Sequence, residues 1–317
     1  EQNKEFMVGN YDYPGKPKDM WELGIKGGSF TVPVADVDAR PLNSFGFGGH
    51  VRKSLGHVMS LRLEYVYGVA QGLNWRPSTG YMAAGANTPW AGYGGDEVYY
   101  NYKTKSQDLS LQALFNLGNI RFYKAQTGAT IYALAGLGVN TYKTSVNAMN
   151  GSSMYSFPAG ASTYDNRRDM LDNLKDLLDD SYESPAEMDP SKKWSNTFAG
   201  YITPSATVGA GIAFRLSSRV NLALEDRIIM TGSDMLDGQR WNEQRTLSSD
   251  KDLFNYLTLG LNFNLGSKSK RVEPLYWLNP LNYAYGELRR VPEIILPDAD
   301  GDGVTDQFDQ EQTPAGC

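Results

Sequence analysis

The stretch Met59-Ser-Leu-Arg-Leu-Glu-Tyr-Val-Tyr-Gly-Val69 decides the fold class, because its apolar and polar residues alternate. Every second residue from Met59 to Val69 is apolar or aromatic, whereas Arg62 and Glu64 lie between them. A β-strand turns successive side chains to opposite faces, and an α-helix does not. The pattern therefore predicts a strand with one apolar face and one charged face.

Seven other segments before residue 267 repeat this alternation, and they lie at Trp21–Lys26, Phe47–Lys53, Leu109–Leu117, Ala129–Tyr142, Ala206–Arg215, Val220–Arg227 and Leu257–Leu265. A tilted strand needs about ten residues to cross a bilayer, which these segments approach. The connections alternate in length: those near residues 54–57 and 217–219 are tight, and 118–128 is moderate. Those near 72–107, 145–201 and 232–252 are long. Outer-membrane barrels of bacteria show this alternation, with short periplasmic turns and long extracellular loops.

The charged faces separate a membrane barrel from a soluble β-sandwich or a lipocalin-like barrel, whose interior would be apolar. Opposite the apolar faces lie Glu22, Lys26, His50, Arg52, Arg62, Glu64, Gln112, Arg215, Glu225 and Arg227. In a membrane barrel the apolar face meets lipid and the charges fill the lumen. We therefore predict an all-β, eight-stranded antiparallel transmembrane β-barrel. The predicted charge network of its lumen comprises Glu22, Lys26, Arg52, Arg62, Glu64, Arg215, Glu225 and Arg227, with Arg62–Glu64 and Glu225–Arg227 as pairs.

Composition excludes several other classes. The chain has 317 residues and a formal net charge of -6, which disfavours a nucleic-acid partner. Its one cysteine, Cys317, excludes a disulfide framework. Because the chain starts at Glu1, we expect a processed protein, for which a secretory leader is one explanation. The two histidines, His50 and His57, occur in no catalytic motif, so we expect no enzyme. A pore is the lesser alternative, because side chains nearly fill an eight-stranded barrel.

The longest predicted loop contains an amphipathic segment. In the segment from Asp165 to Leu178, the apolar residues recur at helical spacing. This pattern predicts a surface helix that ends before Pro185. Two interpretations stay open for this helix: it shields the loop or barrel rim, or it docks a partner protein.

The last predicted strand carries a candidate assembly signal. Thr258, Gly260, Phe263 and Leu265 stand at the spacing of the β-signal that the outer-membrane assembly machinery recognises. The pattern alone is common in strands, but here it closes the eighth strand. We therefore expect that machinery as a partner during biogenesis.

A second motif predicts a Ca²⁺ site near the C-terminus. Aspartates occupy positions 1, 3, 5, 9 and 12 of a calcium loop, and Gly303 occupies position 6. The predicted ligands are Asp298, Asp300, Asp302, the carbonyl of Val304, Asp306 and Asp309. No helical pattern flanks the loop, so it resembles a thrombospondin type 3 repeat rather than an EF-hand. The other interpretation is an acidic flexible linker.

Eight alternating strands followed by this aspartate-rich linker resemble the OmpA family of outer-membrane proteins, over about residues 20–317. The resemblance implies a cell outer-membrane location, with loops extracellular and the C-terminus periplasmic. It also implies that the linker leads to a peptidoglycan-binding domain, which this chain does not contain. We therefore expect the natural protein to continue beyond Cys317.

The predicted organisation is a barrel at 1–267, an aromatic and proline-rich periplasmic extension at 268–297, and the calcium linker at 298–317. The extension is rich in Tyr, Trp and Pro between Val272 and Tyr285. It either folds against the lower rim of the barrel or contacts another protein. The predicted function is structural: anchoring the outer membrane to the cell wall through the missing domain. The alternative is an accessory subunit of a larger outer-membrane complex that docks through its loops and extension.

Overall fold

The computed structural model of the protein describes residues 5, 8, 10, 21–117, 128–158, 163, 165–187, 193–195, 200–217, 219–241, 245–248, 251–265 and 274–277. The chain divides into two compact units. One comprises Glu1 and Lys16–Asn279 and contains every strand and helix given below. The other comprises Gln2–Gly15 and Pro280–Cys317, and of it the description covers residues 5, 8 and 10.

Eight long strands form a closed antiparallel β-barrel, which confirms the predicted fold class. In chain order the described strands are β1 (Trp21–Val34), β2 (Phe45–Ser54), β3 (Met59–Leu73), β4 (Asn101–Asn116), β5 (Ala129–Val146), β6 (Met149–Asn150), β7 (Ser153–Met154), β8 (Ser184–Pro185), β9 (Lys193–Ser195), β10 (Gly200–Arg215), β11 (Val220–Met230) and β12 (Leu253–Asn264). The ring runs β1-β2-β3-β4-β5-β10-β11-β12, and β12 pairs with β1 to close it. The short strands β6 and β7 form a hairpin, whereas β8 and β9 extend the sheet beside β5 and β10.

The two ends of the barrel differ in their connections. At the end that we call lower, β2 turns into β3 and β10 into β11 within four residues. At the upper end the connections 35–44, 74–100, 147–199 and 231–252 are longer. Several strands reach further up than the alternation predicted: β4 starts at Asn101 instead of Leu109. Outward-facing Lys103, Lys105 and Gln107 interrupt the apolar pattern there, although the backbone pairing continues.

Side chains alternate between an apolar outer surface and a polar interior along the barrel strands. On β12, for example, Leu259 is 54% exposed, whereas its neighbour Thr258 is 2% exposed. Buried aromatic residues fill the upper part of the lumen. The Phe30 ring lies 4.7 Å from that of Phe254 and 5.6 Å from that of Tyr256. Gly68 makes this packing possible, because a Cβ there would lie 2.4 Å from the Phe30 ring.

The connection between β5 and β10 contains an α-helix, α1 (Arg167–Leu177). It confirms the predicted loop helix. Leu174 is fully buried in a cluster with Leu73 and Tyr99, so the apolar stripe covers the rim of the barrel. This packing supports the shielding interpretation. Within the described part of the chain, no helix has the length and apolar character needed to span a membrane.

Candidate functional site

The middle of the lumen holds a cluster of five charged side chains from three strands. Lys26 on β1 lies 3.0 Å from Glu64 on β3 and 2.9 Å from Glu225 on β11. Arg62 Nε lies 3.0 Å from Glu64, and Arg227 Nη2 lies 2.6 Å from the other oxygen of Glu64. All five side chains are at most 4% exposed. Three cations therefore share two carboxylates inside the barrel.

The bond between Arg62 and Glu225 crosses the barrel. Arg62 Nη1 and Nη2 donate to the two carboxylate oxygens of Glu225 at 2.7 and 2.9 Å. In the ring of eight strands, β3 and β11 stand four places apart and thus face each other. From β5, which faces β1, Tyr132 also donates to Glu225 at 2.9 Å. A bidentate arginine–carboxylate pair fixes both distance and orientation, so the cluster braces opposite walls.

The pairs differ in detail from those predicted. Arg62 and Glu64 do lie together, as expected. Arg227 lies 4.0 Å from Glu225, and its nearer partner is Glu64 on the facing strand. Strand periodicity places a charge inside the barrel but does not show which opposite strand it meets. The guanidinium of Arg227 also lies 4.9 Å from the centre of the Tyr256 ring, a cation–π contact.

A second polar group lies below the first, centred on Glu22. Asn221 donates to Glu22 at 3.1 Å, and the Tyr276 hydroxyl donates to the same carboxylate. Arg52 Nη1 lies 3.7 Å from Glu22 and His50 Nε2 lies 3.6 Å from it. The His50 ring occupies the space beside Gly24, where a Cβ would lie 2.1 Å from the imidazole.

The described segment 274–277 closes the lower end of the barrel. Tyr276 and Trp277 are 2% and 4% exposed, and the Arg52 guanidinium lies 3.9 Å from the centre of the Tyr276 ring. Asn116 donates to the Tyr276 carbonyl at 2.7 Å, and His57 Nδ1 donates to the Leu275 carbonyl at 3.0 Å. This part of the predicted extension therefore folds into the barrel, in line with the lower-rim interpretation. These two aromatic residues do not supply an exposed docking surface.

The connection from β11 to β12 closes the upper end. Leu236 is fully buried, and its carbonyl accepts hydrogen bonds from the hydroxyls of Thr104 and Thr144. Asp252 accepts from the Leu236 amide at 2.8 Å, and Asp237 accepts from the Val37 amide at 3.0 Å. Asp237 therefore joins this connection to the loop after β1, the two threonines join it to the strand wall, and Asp252 braces it internally.

Burial sets the protonation of this pair. Removal from water raises the pKa of Asp237 to about 8 and that of Asp252 to about 9. The charge of Asp237 adds to the rise at Asp252, because two carboxylates in one apolar site repel each other. Burial therefore favours the protonated form of this pair.

A small cavity lies between the two closures. It has a volume of about 10 Å³ and lies among residues of the two charged groups, including Lys26, Arg52 and Glu225. That volume holds about one water molecule. What the arrangement can do is brace the barrel and obstruct it, and we therefore treat the braced interior as the candidate functional site.

The other predicted site residues fall in three groups. Arg215 lies half-buried at the lower end of β10, four residues beyond the position that pairs with Glu225. Thr258 and Gly260 of the assembly signal face inward on β12, Phe263 faces outward, and Leu265 follows the strand. Their recognition stays a prediction. All six calcium-loop residues lie outside the described residues, among which no group of three His, Cys, Asp or Glu is placed to hold a metal.

Sequence reasoning missed four contributors to this interior: Tyr132, Tyr276, Asp237 and Asp252. Tyr132 alternates correctly on β5, but its neighbourhood is rich in glycine. Gly211 makes room for it, since a Cβ there would lie 2.5 Å from the Tyr132 hydroxyl. The other three lie outside the long strands, where alternation carries no information.

Comparisons with known proteins give only distant likenesses. No protein-family model and no curated protein matches the chain. Among solved structures, Neisserial surface protein A is 8% identical and covers 79% of this chain and 100% of its own, with a TM-score of 0.33. The N-terminal β-barrel domain of Pseudomonas aeruginosa OprF is 11% identical over 79% of this chain and 100% of its own, with a TM-score of 0.30. Ail, the attachment invasion locus protein of Yersinia pestis, is 9% identical over 77% of this chain and 95% of its own, with a TM-score of 0.30.

Proposed function

We propose that this protein is a structural barrel of the outer membrane that anchors the membrane to the cell wall. The observation that carries the proposal is the braced and obstructed interior inside an apolar outer wall. An exposed apolar surface on every long strand suits a lipid environment, and it would aggregate in water. In this proposal the upper loops are extracellular, and the chain after β12 is periplasmic.

Obstruction argues for a structural role rather than transport. The cavity beside the central cluster has a volume of about 10 Å³. The connection from β11 to β12 closes the barrel above it, and the segment 274–277 closes the barrel below it. A conducting path would require breaking the Arg62–Glu225 bridge, and this would leave buried charges without partners. In planar lipid bilayers we expect no stable conductance steps from the purified full chain. Reproducible steps would favour the pore alternative.

Anchoring would depend on the segment after the barrel. The aspartate spacing from Asp298 to Asp309 supports a Ca²⁺-stiffened linker, and the linker would lead to a peptidoglycan-binding domain beyond Cys317. We would remove residues from Asp298 onward in the native gene and sediment the detergent-insoluble cell wall. We expect the natural protein to sediment with the cell wall and the truncated protein to remain in the supernatant. Equal behaviour of both forms would contradict anchoring.

The mass of the protein isolated from native membranes gives an independent test. A mass well above 35.1 kDa is expected if a wall-binding domain follows the linker. A mass near 35.1 kDa with companion chains in fixed ratio would instead make the barrel a subunit of a larger complex.

One observation favours that second candidate, an accessory subunit of an outer-membrane complex. Asp226 on β11 faces outward between Leu224 and Ile228, and Asn255 donates to it at 2.8 Å. A carboxylate on a lipid-facing wall is unfavourable, whereas a partner protein could satisfy it. In that case the truncated protein would still co-purify with its partners.

A further inference from the structure

Three lysines project from the outer wall near the upper end of β4 and β5. Lys103 and Lys105 alternate outward on β4, and Lys143 stands directly opposite Lys105 on β5. Lys105 and Lys143 are exposed, and Lys103 is half-buried. Like charges that face each other across two strands are destabilising, so this pairing has a cost in the isolated protein.

Within the described part of the chain, no ion pair joins these lysines to an acidic side chain, although Asp180 and Glu183 flank the recess residues Ser181 and Tyr182. Their described polar contact is the one of Lys103, whose Nζ lies 5.2 Å from the centre of the Tyr182 ring. Elsewhere on the protein, lysines do find partners: Lys26 contacts two glutamates and Lys175 contacts Asp172. The upper lysines are thus arranged to receive an anion from outside the chain.

The lysines line a defined recess. Together with Ser145, Ser181 and Tyr182 they surround a cavity of about 190 Å³. The short strand β8 holds one wall in place, because Pro185 pairs with Ser145 on β5. The ring of Tyr182 forms part of the floor and is 7% exposed. The Ser181 hydroxyl donates to Glu183, so the donors of the recess that suit the oxygens of a phosphate are the three ammonium groups and the Ser145 hydroxyl.

The position of the recess along the barrel axis indicates where such a phosphate would come from. Leu109 and Val139 are opposite each other and half-exposed, and they are the last large apolar pair of the outer wall on these strands. Lys105 and Lys143 lie four residues above them, about 13 Å along the strands. Headgroups begin where the apolar belt ends, and long lysine side chains extend toward that level.

We propose that Lys103, Lys105 and Lys143 bind the phosphate group of a lipid headgroup in the leaflet on the side of the long loops. The inference rests on the proposed membrane location, since a soluble barrel would have no headgroup layer. Binding would also relieve the repulsion between Lys105 and Lys143. The cost of that pair in the isolated protein is then offset in the membrane.

The test uses the full chain in phosphatidylcholine nanodiscs that contain a minor fraction of phosphatidic acid. Native mass spectrometry measures the phosphatidic acid that each protein molecule retains. A lysine near an anionic lipid surface contributes about fivefold to binding, so Lys105→Gln with Lys143→Gln should weaken retention about 25-fold. The matched control is Lys53→Gln. Lys53 lies at the lower end of β2 beside Trp21 and faces no second lysine, so its replacement should weaken retention by about fivefold at most.

Other outcomes separate the alternatives. Equal retention by the natural protein and the double variant would overturn the proposal. Inorganic phosphate that displaces the lipid at equal concentration, and binds the lipid-free protein as tightly, would overturn the assignment to a headgroup. A chain that does not enter nanodiscs at all would refute the membrane location instead. A chain that enters them without preferring phosphatidic acid would refute only this inference.

Discussion

Glu225 is the acceptor on which the central cluster depends, so Glu225→Gln is the most informative change. Glu225 is 2% exposed and forms an ion pair with Lys26. It also accepts hydrogen bonds from both terminal nitrogens of Arg62 and from the Tyr132 hydroxyl. Glutamine fills the same volume but removes the charge, which leaves three buried cations with one carboxylate. Breaking a buried ion pair from one side costs about 3–5 kcal/mol. We expect the free energy of unfolding to fall by that amount.

The assay is reversible urea unfolding of the full chain in phosphatidylcholine vesicles, followed by tryptophan fluorescence. Asp226→Asn provides the matched control, because Asp226 is the next residue on β11 and faces outward. That change also removes one carboxylate, yet it leaves the lumen intact. We expect it to alter the free energy of unfolding by less than about 1 kcal/mol.

A second variant separates pairing from general packing. Replacing both Arg62 and Glu225 by leucine removes one charge of each sign. It therefore leaves fewer buried charges without a partner than Glu225→Leu alone. The double variant should therefore be more stable than that single variant. A loss equal to the sum of the two single losses would refute the view that these residues act as a pair. So would a Glu225→Gln protein as stable as the natural one.

Three further predictions concern other parts of the molecule. Burial raises the pKa of Asp252 to about 9, so Asp252 keeps a proton in the folded protein that it loses above about pH 4 in the unfolded protein. The upper closure should therefore weaken as pH rises toward 9, and its opening equilibrium should change by up to about tenfold per pH unit. Hydrogen-exchange protection factors near Leu236 should show that trend, and Asp252→Asn should remove it; a pH-independent natural protein would contradict the burial argument. Asp226→Leu should stabilise the barrel in vesicles by about 1 kcal/mol, since it removes a carboxylate from the outer wall, and a lower urea midpoint would be the opposite result. Asp302→Ala should raise protease cleavage between 297 and 314 only, and unchanged cleavage with or without chelator would argue against the calcium linker.

Alternation, charged inner faces and the lengths of the connections together predicted the barrel, because outward-facing and lumen-facing positions impose a two-residue period on β3, β4 and β12. The same period put Lys26, Arg62, Glu64, Glu225 and Arg227 inside. It could not predict their partners, since a strand's neighbours across the lumen depend on the stagger of the closed sheet. The upper strand ends were missed because polar side chains interrupt the apolar pattern there.

The closures were less accessible to sequence reasoning. Tyr276 lies in an aromatic segment whose folding against the lower rim was one of two interpretations, and its hydrogen bond to Glu22 depends on tertiary structure. Asp237 and Asp252 occur in an ordinary acidic loop sequence, and only burial makes them unusual. Local sequence patterns carry no information on such burial.

The bridge between Arg62 and Glu225 joins residues 163 positions apart in the chain. It spans the lumen, so it can form only after the sheet has curled and β12 has met β1. Contacts that form after the rate-limiting step slow unfolding without speeding folding. If the sheet closes after the rate-limiting step, the central charges should lengthen the lifetime of the finished barrel while leaving its rate of assembly nearly unchanged.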